Sequence, residues 1–400
     1  MGTGAVAGAT YNTVVGAGAA IDITSGDNNN LFGAGSGANL TTGSRNIAIG
    51  ANAAGVSTDV DRAVIIGDNA GIANMTSDAD GSVGIGTDAL AALTSGIGNV
   101  AVGAYALDAE DDGDFNTAIG HQALTAQTGI SGKVANTAVG YQAGLDITSG
   151  QYNTLLGYLA GANLTTMTHN TAIGTEALTG SSLVDNCVII GSQAGAGAMT
   201  AAADGTIAIG YAAGAALTSG NRNVAVGYQA LNNQTTGGTN TAIGYQAMLD
   251  ANHADCDDNT CIGGFAGTDM GAYASNGNTF VGYSAGGGTH AGANIRSTAV
   301  GAGAMSAALN TANDNACLGY NALDSLTTGN DNVAVGANAG DTIATGTNNT
   351  LIGYSADTTG GDSINQIALG SGTTAVADNS VTLGNASVTA VYMAQDLSLI

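Results

Sequence analysis

This chain is an all-β solenoid, and three features of its sequence predict that. A pentapeptide of the form Asn-Thr-Ala-Ile-Gly recurs from one end to the other, its closing glycine falling first at Gly16 and last at Gly384. The copies number 22, and 13 of the 21 intervals between them are 17 residues, the others running from 14 to 20. Gly makes up 65 of 400 residues, yet the chain is 44% hydrophobic and its glycines keep phase with β-branched residues. Low-complexity disorder does not hold such a phase. A period this short, sustained this long, means one coil per copy, each stacked on its neighbours.

Each position of the coil follows from counting outward from the closing glycine. Position −1 is large and apolar in every copy, as at Val15, Phe32, Ile49, Ile119, Leu369 and Leu383. Position −3 is usually Thr, Val or Ile, and it shares a strand face with −1 because side chains alternate with period two. Position −2 is Ala in 11 copies and is never charged. A strand apolar on both faces is expected to be buried on both. The large aliphatic face should fill the coil. The Ala-rich face, with Ala48, Ala118, Ala172, Ala225 and Ala334, should then need partner chains at a close-packed axis.

Beyond the glycine, position +3 is Ala in 19 copies, the exceptions being Ser36, Thr373 and Ser387. Position +4 is either Gly, as at Gly144, Gly161 and Gly214, or long and apolar, as at Leu107, Leu124, Leu231 and Met248. A second anchor stands at +7 in many coils (Ile23, Leu40, Ile147, Leu164, Leu217, Ile343) and is commonly followed by Thr-Ser-Gly or Thr-Thr-Gly, a turn signal. Two anchors per coil predict a flattened, two-stranded roll rather than a three-sided helix. Asn occupies −4 in 15 copies, where stacked amides can form a hydrogen-bonded ladder. Tyr follows the glycine in eight copies, from Tyr141 to Tyr354. The resulting stripe would serve either contact or packing over small residues. A longer duplication relates Gly67–Gly81 to Gly191–Gly205, 124 residues on. Growth by copying blocks of coils selects for length rather than for a pocket.

The repeat Asn-Thr-Ala-Ile/Val-Gly-Tyr-Gln-Ala, at Asn136–Ala143 and Asn240–Ala247, resembles the head repeat of YadA-type trimeric autotransporter adhesins, a class that also occurs in bacteriophage tail-fibre shafts. The resemblance covers about residues 12–384. It implies a left-handed parallel β-roll, three parallel chains side by side as a homotrimer, and an adhesive or spacer role. The family's repeat is commonly shorter than 17 residues; here only Gly370 to Gly384 has the 14-residue length. The segment Val381–Asp396 is similar to the stretch preceding a C-terminal intramolecular chaperone in phage fibres. The division expected is a lead-in at 1–11, a shaft at 12–384 and a tail segment at 385–400.

Charge and chemistry narrow the function further. The formal charge is −25, with Lys133 and four arginines as the only cations apart from histidine. A nucleic-acid footprint needs clustered cations, and an anionic membrane would repel this chain; neither partner is expected. The N-terminus lacks a basic and apolar leader, and no run approaches the length of a membrane span. Cys187, Cys256, Cys261 and Cys317 are too few for a disulfide framework and read as small buried hydrophobes. The segment His253–Cys261 is the densest candidate for zinc, but Cys261 occupies a buried repeat position. Asp108–Asp114 suggests a calcium loop without the downstream bidentate Glu. No catalytic, cofactor-binding or metal-binding residues are therefore expected, and no enzyme activity.

The function expected is a fibre shaft on a virion, a tail fibre that contacts a host cell-surface glycan or protein and other tail proteins. A bacterial trimeric surface adhesin and a self-assembling extracellular filament are the alternatives, with an ice-binding plane of stacked Thr more distant. At about 4.8 Å per coil the stack would extend on the order of 105 Å. Recognition is expected on the longest turns, Leu124–Val134, Ala251–Asp258 and Asp269–Gly277, or beyond Gly384.

Overall fold

The computed structural model describes residues 8–128, 131–271 and 273–391. The repeat strands number 22 and pair in parallel, one per copy of the motif. The chain divides into two compact units, Met1–Ala212 and Ala213–Ile400. The first carries the repeat strands from Thr13–Val15 to Ile207–Ile209, and the second those from Val224–Val226 to Ser380–Leu383. In each unit the pairing register equals the phase of the repeat. Thr117, Ala118 and Ile119 pair with Thr137, Ala138 and Val139 in the first, and Thr241, Ala242 and Ile243 with Thr260, Cys261 and Ile262 in the second. The all-β parallel solenoid expected from the period is thus the fold.

The closing glycine has a strict geometric reason. Gly120 lies at φ +137°, and a Cβ there would stand 2.2 Å from the carbonyl oxygen of Gly140 in the next coil. Gly244 in the second unit is alike, at φ +141° and 2.4 Å from the oxygen of Gly263. Only glycine combines that backbone with so close an approach. Three other positions per coil take left-handed backbone without glycine, as Tyr152 (φ 57°), Gln142 (φ 54°) and Leu124 (φ 53°) show. Their N–H groups bond to an adjacent coil, Tyr152 to Val134, Gln142 to His121 and Leu124 to Ala143 at 2.9 to 3.1 Å. Stacking therefore supports conformations that an isolated chain disfavours.

Two expectations about the coil are corrected. The strand faces are reversed: Ala118, Ala172, Ala225 and Ala334 are fully buried within their own chain, while the −1 and −3 side chains point outward. Three extended residues turn one side chain inward and two outward, and the inward one is the −2 residue, Ala in 11 copies. The second side of the roll is not a matching strand either. It runs as turns whose N–H groups bond coil to coil, as Asp146 to Ala162 and Thr148 to Thr165 do, with isolated bridges such as Asp250 to Asp269. A pair of two-residue strands, Gly113–Asp114 and Gly132–Lys133, lies outside the repeat series.

The interior holds positions −4, −2, +3, +4 and +7, and its volume is shared between −2 and +4. In several coils with Ala at −2 the +4 residue is large, as with Ala118 and Leu124, Ala172 and Leu178, or Ala225 and Leu231, all fully buried; in others, such as Ala138 with Gly144 and Ala334 with Gly340, the large residue stands at +7 instead, as Ile147 and Ile343. Where −2 is large, +4 is glycine in most coils, Leu351 with Asp357 being an exception. A Cβ on Gly37 would meet Leu31 at 3.0 Å, one on Gly161 Leu155 at 2.7 Å, and one on Gly286 Phe280 at 2.5 Å. Close packing demands such compensation, since interiors tolerate neither voids nor overlap. It also explains the alternation of Gly with long residues at +4.

The asparagine ladder forms. Within a run, the Oδ1 of each Asn accepts the next coil's N–H, as Asn136 does from Asn153 and Asn153 from Asn170, at 2.9 and 3.0 Å. Its Nδ2 donates to a turn carbonyl 14 residues on, Asn170 to Val184 at 2.7 Å. In unit two Asn240, Asn259 and Asn278 repeat the pattern at 3.0 Å. The rungs thus satisfy buried amide groups that would each cost roughly 1–3 kcal/mol if left bare. The ladder lapses at Ala63 and Ser82, and again at Cys187 and Thr206, 124 residues later. Both lapses accompany a single 3-10 turn, Ser77–Ala79 and Ala201–Ala203. The block duplication is therefore visible in structure, although no helical turn was expected.

Candidate interaction face

The outward side of the strands presents a row of large aliphatics. Leu156 is 46% exposed, Ile119 39%, Leu318 53% and Ile352 43%, with Phe32, Ile49, Ile243, Ile262 and Leu383 similar. Single exposed aliphatics are ordinary; an aligned series in successive coils is not. Beside them at −3 stand Thr137, Thr154 and Thr298, exposed, and Val333. No charged residue occurs at −3 or −1 in any copy. The face is apolar and flanked by two polar edges.

One edge follows the glycine. Its tyrosines are exposed, and several stack on neighbouring rings along the edge. In unit one His121, Tyr141 and Tyr158 stack at 5.5 Å with planes 10 and 12° apart, and Tyr105 meets His121 edge-on. In unit two Tyr228 stacks on Tyr245 at 5.2 Å, followed edge-on by Phe265 and Tyr283. One residue further, Gln142 bonds Gln122 and Gln246 bonds Gln229, each at 2.8 Å. Rings and amides thus repeat at coil spacing, each filling the role of its neighbour's partner.

The other edge precedes the strand, at −5, a left-handed position. All four arginines of the chain stand there: Arg45, Arg62, Arg222 and Arg296. Arg296 forks onto Asp314 of the following coil at 2.7 and 2.8 Å, and this hydrogen bond holds the Asp314 carboxyl below the ordinary carboxylate range. Tyr152 and His169 stack in the same row at 5.0 Å. Position −6 supplies a second polar ladder, in which Asp61 accepts the N–H of Ser44 at 2.6 Å and Asp80 that of Asp61 at 2.7 Å. The arginine register was legible beforehand, because each arginine lies five residues before a closing glycine.

The other candidate residues scatter. Glu110, Asp111 and Asp112 bring carboxylate oxygens within 4.8 Å of one another, the only such trio of potential metal ligands among the described residues. Glu110 is fully buried at an anchor position; it accepts N–H bonds from Gly113 at 2.7 Å and Asp112 at 3.2 Å, and an amide from Gln127 at 2.7 Å. Desolvation nevertheless raises its pKa. Three donors occupy its oxygens, so the carboxyl serves the coil. In the His253–Cys261 segment, His253 Nδ1 accepts the N–H of Asp255, and Cys256 and Cys261 are buried.

All four cysteines are free and buried, as expected of small hydrophobes. Desolvation pushes the thiols of Cys187 up to about 11 and of Cys256 and Cys317 to about 12. His290 is buried too, and burial lowers its pKa to about 4. Its Nε2 contacts the carbonyl of Gly286 at 3.2 Å and its Nδ1 the Nδ2 of Asn294 at 3.1 Å. Asn294 Oδ1 is held by the N–H of Ala312, which orients the amide as a donor and makes the imidazole neutral, with its proton on Nε2. The threonines of the turn triads engage their hydroxyls internally: Thr24 donates to Thr41 at 2.9 Å and Thr218 to Thr235 at 2.8 Å.

Of the long turns, Ala251–Asp258 lies wholly within the described residues. Leu124–Val134 and Asp269–Gly277 include residues outside them, as do the lead-in and the tail. No helix of the described residues is long and apolar enough to cross a membrane. Compared with known proteins, the chain matches no family model and no curated relative.

Proposed function

We propose that this chain is the shaft of a fibre that assembles side by side as a parallel homotrimer and carries or forms a receptor-binding surface, as in a phage tail fibre. The observation that supports this reading is the uncharged aliphatic row at −1, exposed at positions such as Leu156 and Leu318 and partly exposed in the coils between. Covering the exposed part of each side chain contributes a fraction of the about 1.5–3 kcal/mol that full burial of an aliphatic residue gives. Summed over many coils, that drive is ample for stable association. The partner face is thus the Ile/Val/Leu row and not the alanine row, which the chain buries by itself.

The arrangement also favours a structural role over a chemical one. Many polar groups of the interior, the asparagines above all, are used in ladders, and the described histidines and thiols are scattered along the chain rather than gathered in one cluster. Host attachment would reside on the longer turns or on a neighbouring protein, with the shaft supplying reach. The test is native mass spectrometry of the purified chain beside an Ile173→Arg, Leu156→Arg variant. The parent should be a trimer and the variant a folded monomer with unchanged circular dichroism. A monomeric parent would defeat the proposal.

A further inference from the structure

Inside the second unit one amide has no partner, and its counterpart in the first shows what it lacks. Position +7 is the second anchor of the coil, and after Gly227 it is Gln234, wholly buried. Both polar atoms of that amide, Oε1 and Nε2, are buried without a hydrogen-bond partner among the described residues. Gln127 occupies the same position after Gly120 with both atoms engaged. Its Nε2 donates to Glu110 Oε2 at 2.7 Å, and its Oε1 accepts from Asn136 Nδ2 at 3.1 Å. Gln234 has neither neighbour. The +7 residues of the coils before and after it are Leu217 and Ala251, both buried and without a polar side-chain atom. Asn240, which stands where Asn136 does, gives its Nδ2 to the carbonyl of Cys256 at 2.7 Å.

The surroundings fit a small polar guest. Ala251 stands where many coils place Leu, Ile or Met, as at Leu164, Leu217 and Met270, so the anchor next to the amide is a methyl rather than a long side chain. A Cβ on Gly237 would overlap Nε2, and the same point lies against the carbonyl oxygen of Cys256. Amide and carbonyl are thus neighbours, yet Nε2 makes no bond to that oxygen. We infer that Gln234 binds a buried water molecule, held between its amide and the Cys256 carbonyl. A carboxamide offers an acceptor and a donor side by side. One water can therefore donate to Oε1, accept from Nε2 and donate its second hydrogen to the carbonyl, which keeps a lone pair beside the Asn240 bond. An internal water typically makes about three such bonds. Without it, two polar atoms would be left bare in an interior where nearly all are paired. The inference concerns one coil and is independent of any assembly between copies.

A count of internal waters tests this. A wholly buried water escapes only when the coil opens locally, so it stays long enough to register in magnetic relaxation dispersion of the solvent nuclei. The parent should hold one more long-lived water per chain than Gln234→Leu, which places at this anchor the residue that Leu217 supplies one coil earlier. Gln234→Met, unbranched and of similar length, should lose the same water, so the readout does not hang on how one variant packs. Crystallographic density of the parent should show a single peak within hydrogen-bonding reach of Oε1, Nε2 and the Cys256 carbonyl, missing from both variants. Equal water counts in the parent and the folded variants would overturn the inference. Density in which the Gln234 amide bonds protein groups directly, with no peak beside it, would overturn it as well.

Discussion

Ala172 and Ile173 are adjacent in one three-residue strand, and they belong to different problems. Ala172 is wholly buried and opposes Leu178 across the interior of its own coil, whereas Ile173 points outward and is partly exposed. The inner site is closed by volume, because large residues at −2 such as Leu31, Leu155 and Phe280 are matched by glycine at +4. The outer site is open, and its residue is large whatever the interior holds. The contrast teaches that the alanine marks apolar surface the chain buries by itself, and the isoleucine marks apolar surface that it leaves partly uncovered.

The inner site can be broken and then repaired. Leu178→Gly should cost about 3–4 kcal/mol through the cavity it leaves, eased by relief of the left-handed backbone there. Ala172→Leu alone should cost about 1–3 kcal/mol by overpacking. The double variant recreates the Leu155–Gly161 arrangement of the preceding coil and should recover more than half of the summed loss in denaturant unfolding. Additive losses would show that the two positions do not share volume.

Acid should distinguish the interior from the exterior in a second way. The His290 pKa is lowered to about 4 by burial, against an ordinary value near 6.5. The unfolded chain therefore takes up a proton first as pH falls. Stability is whole above pH 6.5, declines below it, and has lost about 3 kcal/mol from this group near pH 4. His290→Gln should flatten that part of the curve relative to the parent. An unchanged difference between pH 7 and pH 4.5 would place the acid sensitivity elsewhere.

The smallest effect belongs to an outer corner. Ala135 stands at φ +50° at position −5, partly exposed. Ala135→Gly should raise stability by about 0.5–1 kcal/mol, since the relief of a left-handed Cβ exceeds the added entropy of the unfolded chain. A lower melting temperature would show that the Ala135 methyl makes packing contacts that outweigh the strain.

Much of this was legible in advance because it is periodic. The number of coils, the parallel register, the asparagine rungs and the burial of Cys261 and Cys317 all follow from residues keeping phase with Gly120 and its equivalents. The arginine edge was equally present in the spacing of Arg45, Arg62, Arg222 and Arg296, although its meaning depended on knowing which side of the strand faces outward. The non-periodic features were less accessible. Nothing in Ser77–Ala79 or Ala201–Ala203 distinguishes a 3-10 turn from any other turn.

The sequence by itself determined the solenoid, since a repeat in strict phase can bury its apolar residues only by stacking like on like. It could not determine which face of each strand turns inward. Both faces are apolar, and alternation alone separates them without orienting them. Orientation was decided in three dimensions by room. The narrow interior between strand and turn admits Ala118 beside Leu124, or Leu155 beside Gly161, and in no described coil large aliphatics at both −2 and +4. The large residues at −1 are therefore displaced to the surface, where they leave apolar area uncovered by their own chain.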